Sequence, residues 1–308
     1  MGKKIYNSVD LAKLVASFLI VAIHTNIFIS FSEVFNWYFV NLFCRIAVYF
    51  FFIASSYFFF SKLTYDKGKI EKSKDNLSKL KIYVLRMTIL YLIWTAVYFI
   101  YDLFYWYQID CLTFGNLLGY FIMIVRDSSH YHLWFLISLI YAIPIMYFVL
   151  CFINKRMLFV ISMVFYVFGL VFGSYYFFST PFDSFWQLFG SLWVRLRTVL
   201  FDVIPICALS FAVDFIRIKR PALILMTIVC FLLYSFEGML LYNINKDNAS
   251  SFNIFLLPTV LFVFALVKGK NIMLKHGFII RKLSTIIYCI HPLHTALKLS
   301  ASAGEIEQ

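Results

Sequence analysis

An all-α, polytopic transmembrane helix bundle is the fold class this sequence predicts, on three observations. Hydrophobic residues make up 63% of the 308-residue chain and charged residues 14%, with a mean hydropathy of +0.86. No soluble domain could hide that much apolar surface. The apolar residues fall into nine runs bounded by charge, near 9–31, 37–60, 83–105, 132–153, 157–177, 199–216, 222–243, 252–268 and 280–299. The third observation is where the cations fall. Lys3 and Lys4, the run Lys62 to Lys81, Lys155 with Arg156, Arg217 to Arg220, and Lys268 to Lys282 share one side; the other keeps Arg126, Arg195, Arg197 and Lys246. Lys and Arg mark cytoplasmic loops, so the N-terminus is cytoplasmic and the alternation holds through nine crossings.

The net charge of +12 therefore reflects orientation, and nucleic acid is excluded as a partner. Six cysteines, five of them in apolar runs and none in a CxxC pair, read as small buried hydrophobes. The first apolar run lacks a small-residue cleavage site and stays as an anchor. Tyr6 stands where myristoylation wants Ser or Thr.

The first span, NSVDLAKLVASFLIVAIHTNIFISF from Asn7 to Phe31, carries Asp10, Lys13 and His24. At 100° per residue, Lys13 and His24 lie within about 20° of one face and Asp10 within about 40° of it. His24 stands roughly 16 Å above Lys13, beyond the middle of a ~30 Å hydrocarbon layer. The second span holds Arg45 and the seventh Glu237. Each lies fifteen residues from the cytoplasmic end of its run, as His24 does, so all three sit roughly 22 Å up at ~1.5 Å per residue. Titratable groups in hydrocarbon are expensive and mark sites by default. An Arg45–Glu237 ion pair with His24 as a hydrogen-bonded neighbour would satisfy the same groups structurally.

Between the second and third spans, the loop 62–82 carries seven Lys against three acidic residues. It reads as an orientation determinant near anionic lipid, or as a docking patch for a phosphorylated donor. Arg86, near the cytoplasmic start of the third span, either snorkels or meets an entering phosphate or carboxylate. The outer segment 106–131 holds an apolar stretch, Leu117 to Val125, too short to cross and expected as a re-entrant or interfacial helix. The fourth span opens on His132 and Trp134, either an interfacial belt or, with His130, an acceptor site. The HYH spacing is weak evidence for a metal. Segment 178–198 reads as an interfacial amphipathic helix. In the ninth span Tyr288 and His291 share a face, and Pro292 frees a backbone carbonyl beside them, suggesting a kink next to a cavity. Residues 1–308 read as a single transmembrane domain whose abruptly polar end, LSASAGEIEQ, either finishes extracytoplasmically or, the favoured expectation, precedes a tenth helix and a possible fused or partner cytosolic domain.

A GxSxG elbow, a Walker loop and HExxH are absent. What remains is an imidazole base among cationic partners. That chemistry suits activation of a hydroxyl or amine for acyl transfer, or a proton-coupled or substrate-binding site in a transporter.

Five blocks, DLAKLVASFLIVAIH, RIAVYFFFIASSYFFF, LRMTILYLIW, HLWFL and STIIYCIHPL, resemble in order the signatures of the acyltransferase-3 family of integral membrane acyltransferases. That resemblance covers about residues 7–295. It implies some ten helices in a cell membrane, and transfer of an acyl group from cytosolic acyl-CoA to an extracytoplasmic small-molecule or glycan acceptor, without a metal. It also implies an essential His at His24, with matching residues at Arg45, Arg86, Glu237 and His291. The chain departs from the family pattern at Lys13, where Arg is usual, at Ser55-Ser56 for Ser-Gly, and at Leu90 for Pro. Lys13 keeps the charge and loses the planar fork. The first two blocks look most like the membrane halves of vancomycin-resistance serine racemases, which implies amino-acid supply as an alternative to acyl transfer.

Overall fold

The computed structural model describes residues 6–175, 194–244, 252–270, 272, 274–275 and 277–306. Each of the nine apolar runs contains helix among the described residues. Among these residues seven helical stretches are long and apolar enough to cross a membrane, and Leu256–Lys268 is a shorter apolar helix. The chain divides into two compact units: Met1–Tyr57, Gly173–Tyr175 and Leu209–Gln308 form the first, and Phe58–Phe172 with Tyr176–Ala208 the second.

In the first unit α1 spans Asn7–Thr25, six residues shorter at its outer end than the sequence suggested. Asn26 stops it by turning left-handed, with φ 47° and ψ 48°, a conformation Asn tolerates. Asn36 then locks the turn: its side chain donates to Asn26 Oδ1 at 3.1 Å and accepts from the Phe28 amide at 3.1 Å. His24 consequently lies in the last turn of α1 and not within a longer helix.

The second span starts earlier than expected. Ser32 caps α2, Glu33–Tyr38, by accepting from the Phe35 amide. A π-helical turn follows over Phe39–Cys44, and Arg45 joins it to α3, Ile46–Phe60. Such wide turns inside helices cluster at functional positions. Here the turn packs on a later helix, Arg220–Ile244, where Gly238 faces Leu42. A Cβ on Gly238 would stand 2.5 Å from Leu42 Cδ2, and Leu42 is fully buried.

The second unit begins with the charged stretch 62–82, which is ordered. Tyr65–Asp66 (β1) and Lys69–Ile70 (β2) pair antiparallel, with Tyr65 opposite Ile70. The two residues between them, Lys67 and Gly68, both have positive φ, the requirement of a type I′ hairpin turn. Asn76, fully buried, ties the hairpin down. It accepts from the Thr64 amide and donates to the Thr64 and Glu71 carbonyls. Lys155 sits over the Tyr65 ring at 3.5 Å, and burial raises the pKa of that phenol, keeping it a donor to the Phe60 carbonyl.

Ser73 caps α4, Lys74–Gln108, which is 35 residues long. Its buried positions, Asn76, Leu80, Tyr91, Thr95 and Tyr98, form one stripe, while Leu85, Ile89, Leu92, Ile93 and Ile100 are exposed. A helix that turns large apolar groups outward belongs in lipid. The expected short outer helix is α5, Phe114–Arg126. The fourth and fifth spans are α6, Trp134–Leu150, and α7, Lys155–Phe172. Of segment 178–198 only Val194–Thr198 lies among the described residues, as α8.

The sixth span is broken: a π-helical turn over Val199–Val203, then α9, Ile204–Ala208. In the first unit it ends as two 3₁₀ turns, Leu209–Phe211 and Val213–Phe215. The remaining helices, α10 (Arg220–Ile244), α11 (Leu256–Lys268) and α12 (Gly277–Ile306), also belong to that unit. Residues 252–255 are irregular where the eighth span was expected to be helical. Within this unit α12 lies along α1, and α10 along α11.

Replacing Gly238 by Ala must push the buried Leu42 out of its place. The expected result is a thermal destabilisation of about 1–3 kcal/mol in detergent, whereas Ala at Gly119, where a Cβ meets nothing within 4 Å, is expected to leave the melting midpoint unchanged.

Candidate functional site

In the first unit α1 and α12 bring two imidazoles face to face. The rings of His24 and His291 stack with centroids 5.1 Å apart and planes 22° from parallel. The stack begins with a proline. Pro292 lies inside α12 and has no N–H to give the carbonyl four residues back, which is Tyr288. His291 Nδ1 takes that place, 2.8 Å from Tyr288 O. Only a protonated Nδ1 can bond a carbonyl, so the neutral ring keeps its lone pair on Nε2. A base is thereby oriented by its own helix. Tyr288 stays close, its ring centroid 6.3 Å from that of His291; both are buried, and His24 is half-buried.

Glu237, 7% exposed on α10, is engaged by three donors. The Tyr175 hydroxyl and the Ile254 amide reach Oε1 at 2.6 Å each, and the Phe255 amide reaches Oε2 at 3.0 Å. The two amides lie just before α11, so this carboxylate caps that helix from another one. Ser174 holds the same loop by accepting from the Phe252 amide at 2.9 Å. Half-buried Arg45 follows the π-helical turn. The fully buried Tyr234 lies within electrostatic reach of both Arg45 and Glu237, and its hydroxyl meets the Leu42 carbonyl at 3.4 Å.

At the start of α1, Asp10 is 4% exposed and held in a fork by Arg281 of α12. Arg281 Nε donates to Oδ1 at 3.0 Å and Nη2 to Oδ2 at 2.6 Å. The sequence reading counted Arg281 among the orientation charges and missed this pairing across 271 positions. The available signal was an arginine and an aspartate at the cytoplasmic ends of the ninth and first spans. Lys13 is half-buried one turn above Asp10.

The second unit holds the other three candidates. Arg86 stands exposed on α4, with no ion pair among the described residues. His132 is 1% exposed. It lies edge-on to Tyr98 with centroids 4.8 Å apart, while His130 stacks on the same ring at 4.4 Å, and the two Nδ1 atoms are 3.2 Å apart. Trp134 lies under Arg195, 5.4 Å from guanidinium carbon to ring centre. Arg195, 8% exposed, pairs with the Asp127 carboxylate and donates through Nε to the Asp127 carbonyl at 3.1 Å. The sequence reading did not connect these two charges. Next to them, Ser129 and Thr95 share a hydroxyl contact of 2.6 Å, and Tyr91 accepts from the Ser129 amide. Among the described residues no three His, Cys, Asp or Glu side chains are grouped to hold a metal. None of the six cysteines forms a disulfide among the described residues.

Comparison with known proteins adds two findings. A family described as an acyltransferase domain matches residues 6–297. An amino-acid racemase of Enterococcus faecalis is 32% identical over 172 residues, which are 56% of this chain and 22% of that relative. The match thus spans under a quarter of the relative's length. No solved structure matches the chain.

Arg281→Met strands a buried carboxylate. Because the Arg281 side chain is itself more than half exposed, the expected cost is about 1–2 kcal/mol of stability, read as a lower melting midpoint in detergent. Adding Asp10→Asn should restore part of that loss; an unchanged midpoint in the single variant would show that the fork contributes nothing.

Proposed function

This chain belongs to the acyltransferase-3 family of integral membrane proteins, and we propose that it moves an acyl group from cytosolic acyl-CoA to a hydroxyl or amine at the extracytoplasmic face of a bacterial plasma membrane. The observation that carries this reading is the stack of His24 on His291 in the first unit. A neutral imidazole is a suitable general base for a hydroxyl or amine, and the His24 ring is stacked on one, His291, that its own helix orients. His24 removes the acceptor proton as the acceptor oxygen or nitrogen attacks the thioester carbonyl. The new acyl bond forms, the carbon–sulfur bond breaks, and the imidazolium returns its proton to the departing thiolate. His291, with Tyr288 beneath it, keeps the His24 ring in place.

Arg45 supplies positive charge for the oxyanion that develops during attack. Glu237 acts through the loop it caps and is a positioning residue. Asp10 and Lys13 mark the cytoplasmic foot of α1, where Lys13 attracts the anionic donor and Asp10 is committed to Arg281. In the second unit, exposed Arg86 is a phosphate ligand, and His132 with Trp134 forms an aromatic surface for an acceptor.

A second reading rests on the Enterococcus faecalis relative, which bears the name amino-acid racemase. In that reading the chain is a membrane module supplying an amino acid such as serine to a racemase, and the paired imidazoles move a proton with the substrate instead of activating an acceptor.

His24→Ala and His291→Ala are each expected to lower acyl transfer by roughly 10²- to 10⁴-fold in membranes supplied with acyl-CoA. Acyl-CoA should raise the melting midpoint of the wild-type chain and less so that of Lys13→Ala. Serine uptake into proteoliposomes without any acyl donor, abolished by His24→Ala, would replace the enzyme with the transport module.

A further inference from the structure

Two cavities of the first unit meet at one lysine. The first is a cleft of about 580 Å³ between α1, the segment around Arg45, α10 and α11, walled by carbon from Leu11, Val15, Leu19, Phe43, Phe231 and Val263. The second, about 630 Å³, lies at the cytoplasmic ends of α10 and α11 and is lined by Arg220, Lys268 and Lys270. Lys270 borders both. Lys268 is neutralised by Asp214. Arg220 and Lys270 are exposed and carry no ion pair among the described residues.

A polar group waits at the basic end of the cleft. Ser8 is 5% exposed, and its hydroxyl has no hydrogen-bond partner among the described residues. Asn7 donates to the Ile272 carbonyl at 2.9 Å, which holds the chain after Lys270 against the start of α1. The hydroxyl and Lys270 thus line the apolar cleft, and Lys270 carries its border over to the cavity that Arg220 lines.

From Ser8 to Leu19 the cleft follows eleven residues of α1, roughly 16 Å of rise, about one leaflet of a ~30 Å hydrocarbon layer. Its flank is open: Val15 is 54% exposed, Ile228 51% and Phe43 40%. In a membrane that flank meets lipid tails, so an occupant enters sideways from the bilayer and not from water.

We propose that the joined cavities bind an anionic phospholipid of the cytoplasmic leaflet. One acyl chain lies in the cleft, the phosphate sits between Arg220 and Lys270, and Ser8 donates its hydroxyl to the ester region. A chain of this length next to cations matches the two parts of such a lipid, and the described residues that line the two cavities include Arg220, Lys268 and Lys270 but no Asp or Glu, which favours an anion.

The test uses the purified chain in detergent, with phosphatidylglycerol, phosphatidylcholine or a long-chain acyl-CoA added. Retention is read by native mass spectrometry and the melting midpoint by heating. Phosphatidylglycerol should be retained and raise the midpoint, and phosphatidylcholine should do neither. Arg220→Gln and Lys270→Gln should each weaken retention about fivefold, the equivalent of one phosphate-facing cation. Ala12→Trp fills the cleft and should expel the lipid, while its midpoint without lipid checks folding. His24→Ala should leave retention intact, so failure of acyl transfer and failure of this site are separable. Equal retention of both lipids, full retention in the Arg220→Gln/Lys270→Gln double variant, or displacement of phosphatidylglycerol by equimolar acyl-CoA would each overturn the assignment.

Discussion

Every backbone N–H and C=O in hydrocarbon must find a partner within the protein, and that requirement organises the first unit. At three interruptions a polar side chain supplies what the backbone lost. Pro292 removes a donor, and His291 takes over the Tyr288 carbonyl. The helix from Leu256 begins late, and Glu237 receives the Ile254 and Phe255 amides. The π-helical turn at Phe39–Cys44 widens the second span, and Tyr234 reaches its Leu42 carbonyl. These breaks and these polar groups are one feature seen from two sides.

The same requirement gives polar residues two tasks. An imidazole bonded to a carbonyl through Nδ1 repairs the backbone and fixes its own tautomer, with the lone pair on Nε2. A carboxylate that accepts three bonds is costly to move, so the loop it holds is rigid. A side chain that repairs a helix keeps further bonding capacity, because each histidine has two nitrogens and each carboxylate several lone pairs. The structure offers no such second task for Asp10, whose two oxygens are both taken by Arg281.

Much of this was legible in the chain. Nine apolar runs became nine helical segments because a span must be long, apolar and flanked by charge, and those are local properties. His291 and Tyr288 could be placed together from their spacing and from Pro292, again within one turn. Helix ends were less legible. Asn26 looks like any other residue of an apolar run until Asn36 folds back on it, and the charged stretch at 62–82 hides a hairpin held by a single buried Asn76. Arg195 and Asp127 sit 68 positions apart, and nothing in either neighbourhood announces the other.

Composition, charge pattern and helical period therefore determined that this is a multi-pass membrane protein and which few polar residues its spans contain. Those properties are read over one or two turns and need no neighbour. The tertiary structure alone decided who meets whom: His24 with His291 across 267 positions of sequence, Asp10 with Arg281, Glu237 with the loop before Leu256. Pairings between helices depend on the rotation and tilt of each about its axis. These are set by packing, at places such as Gly238 on Leu42, that no single segment encodes.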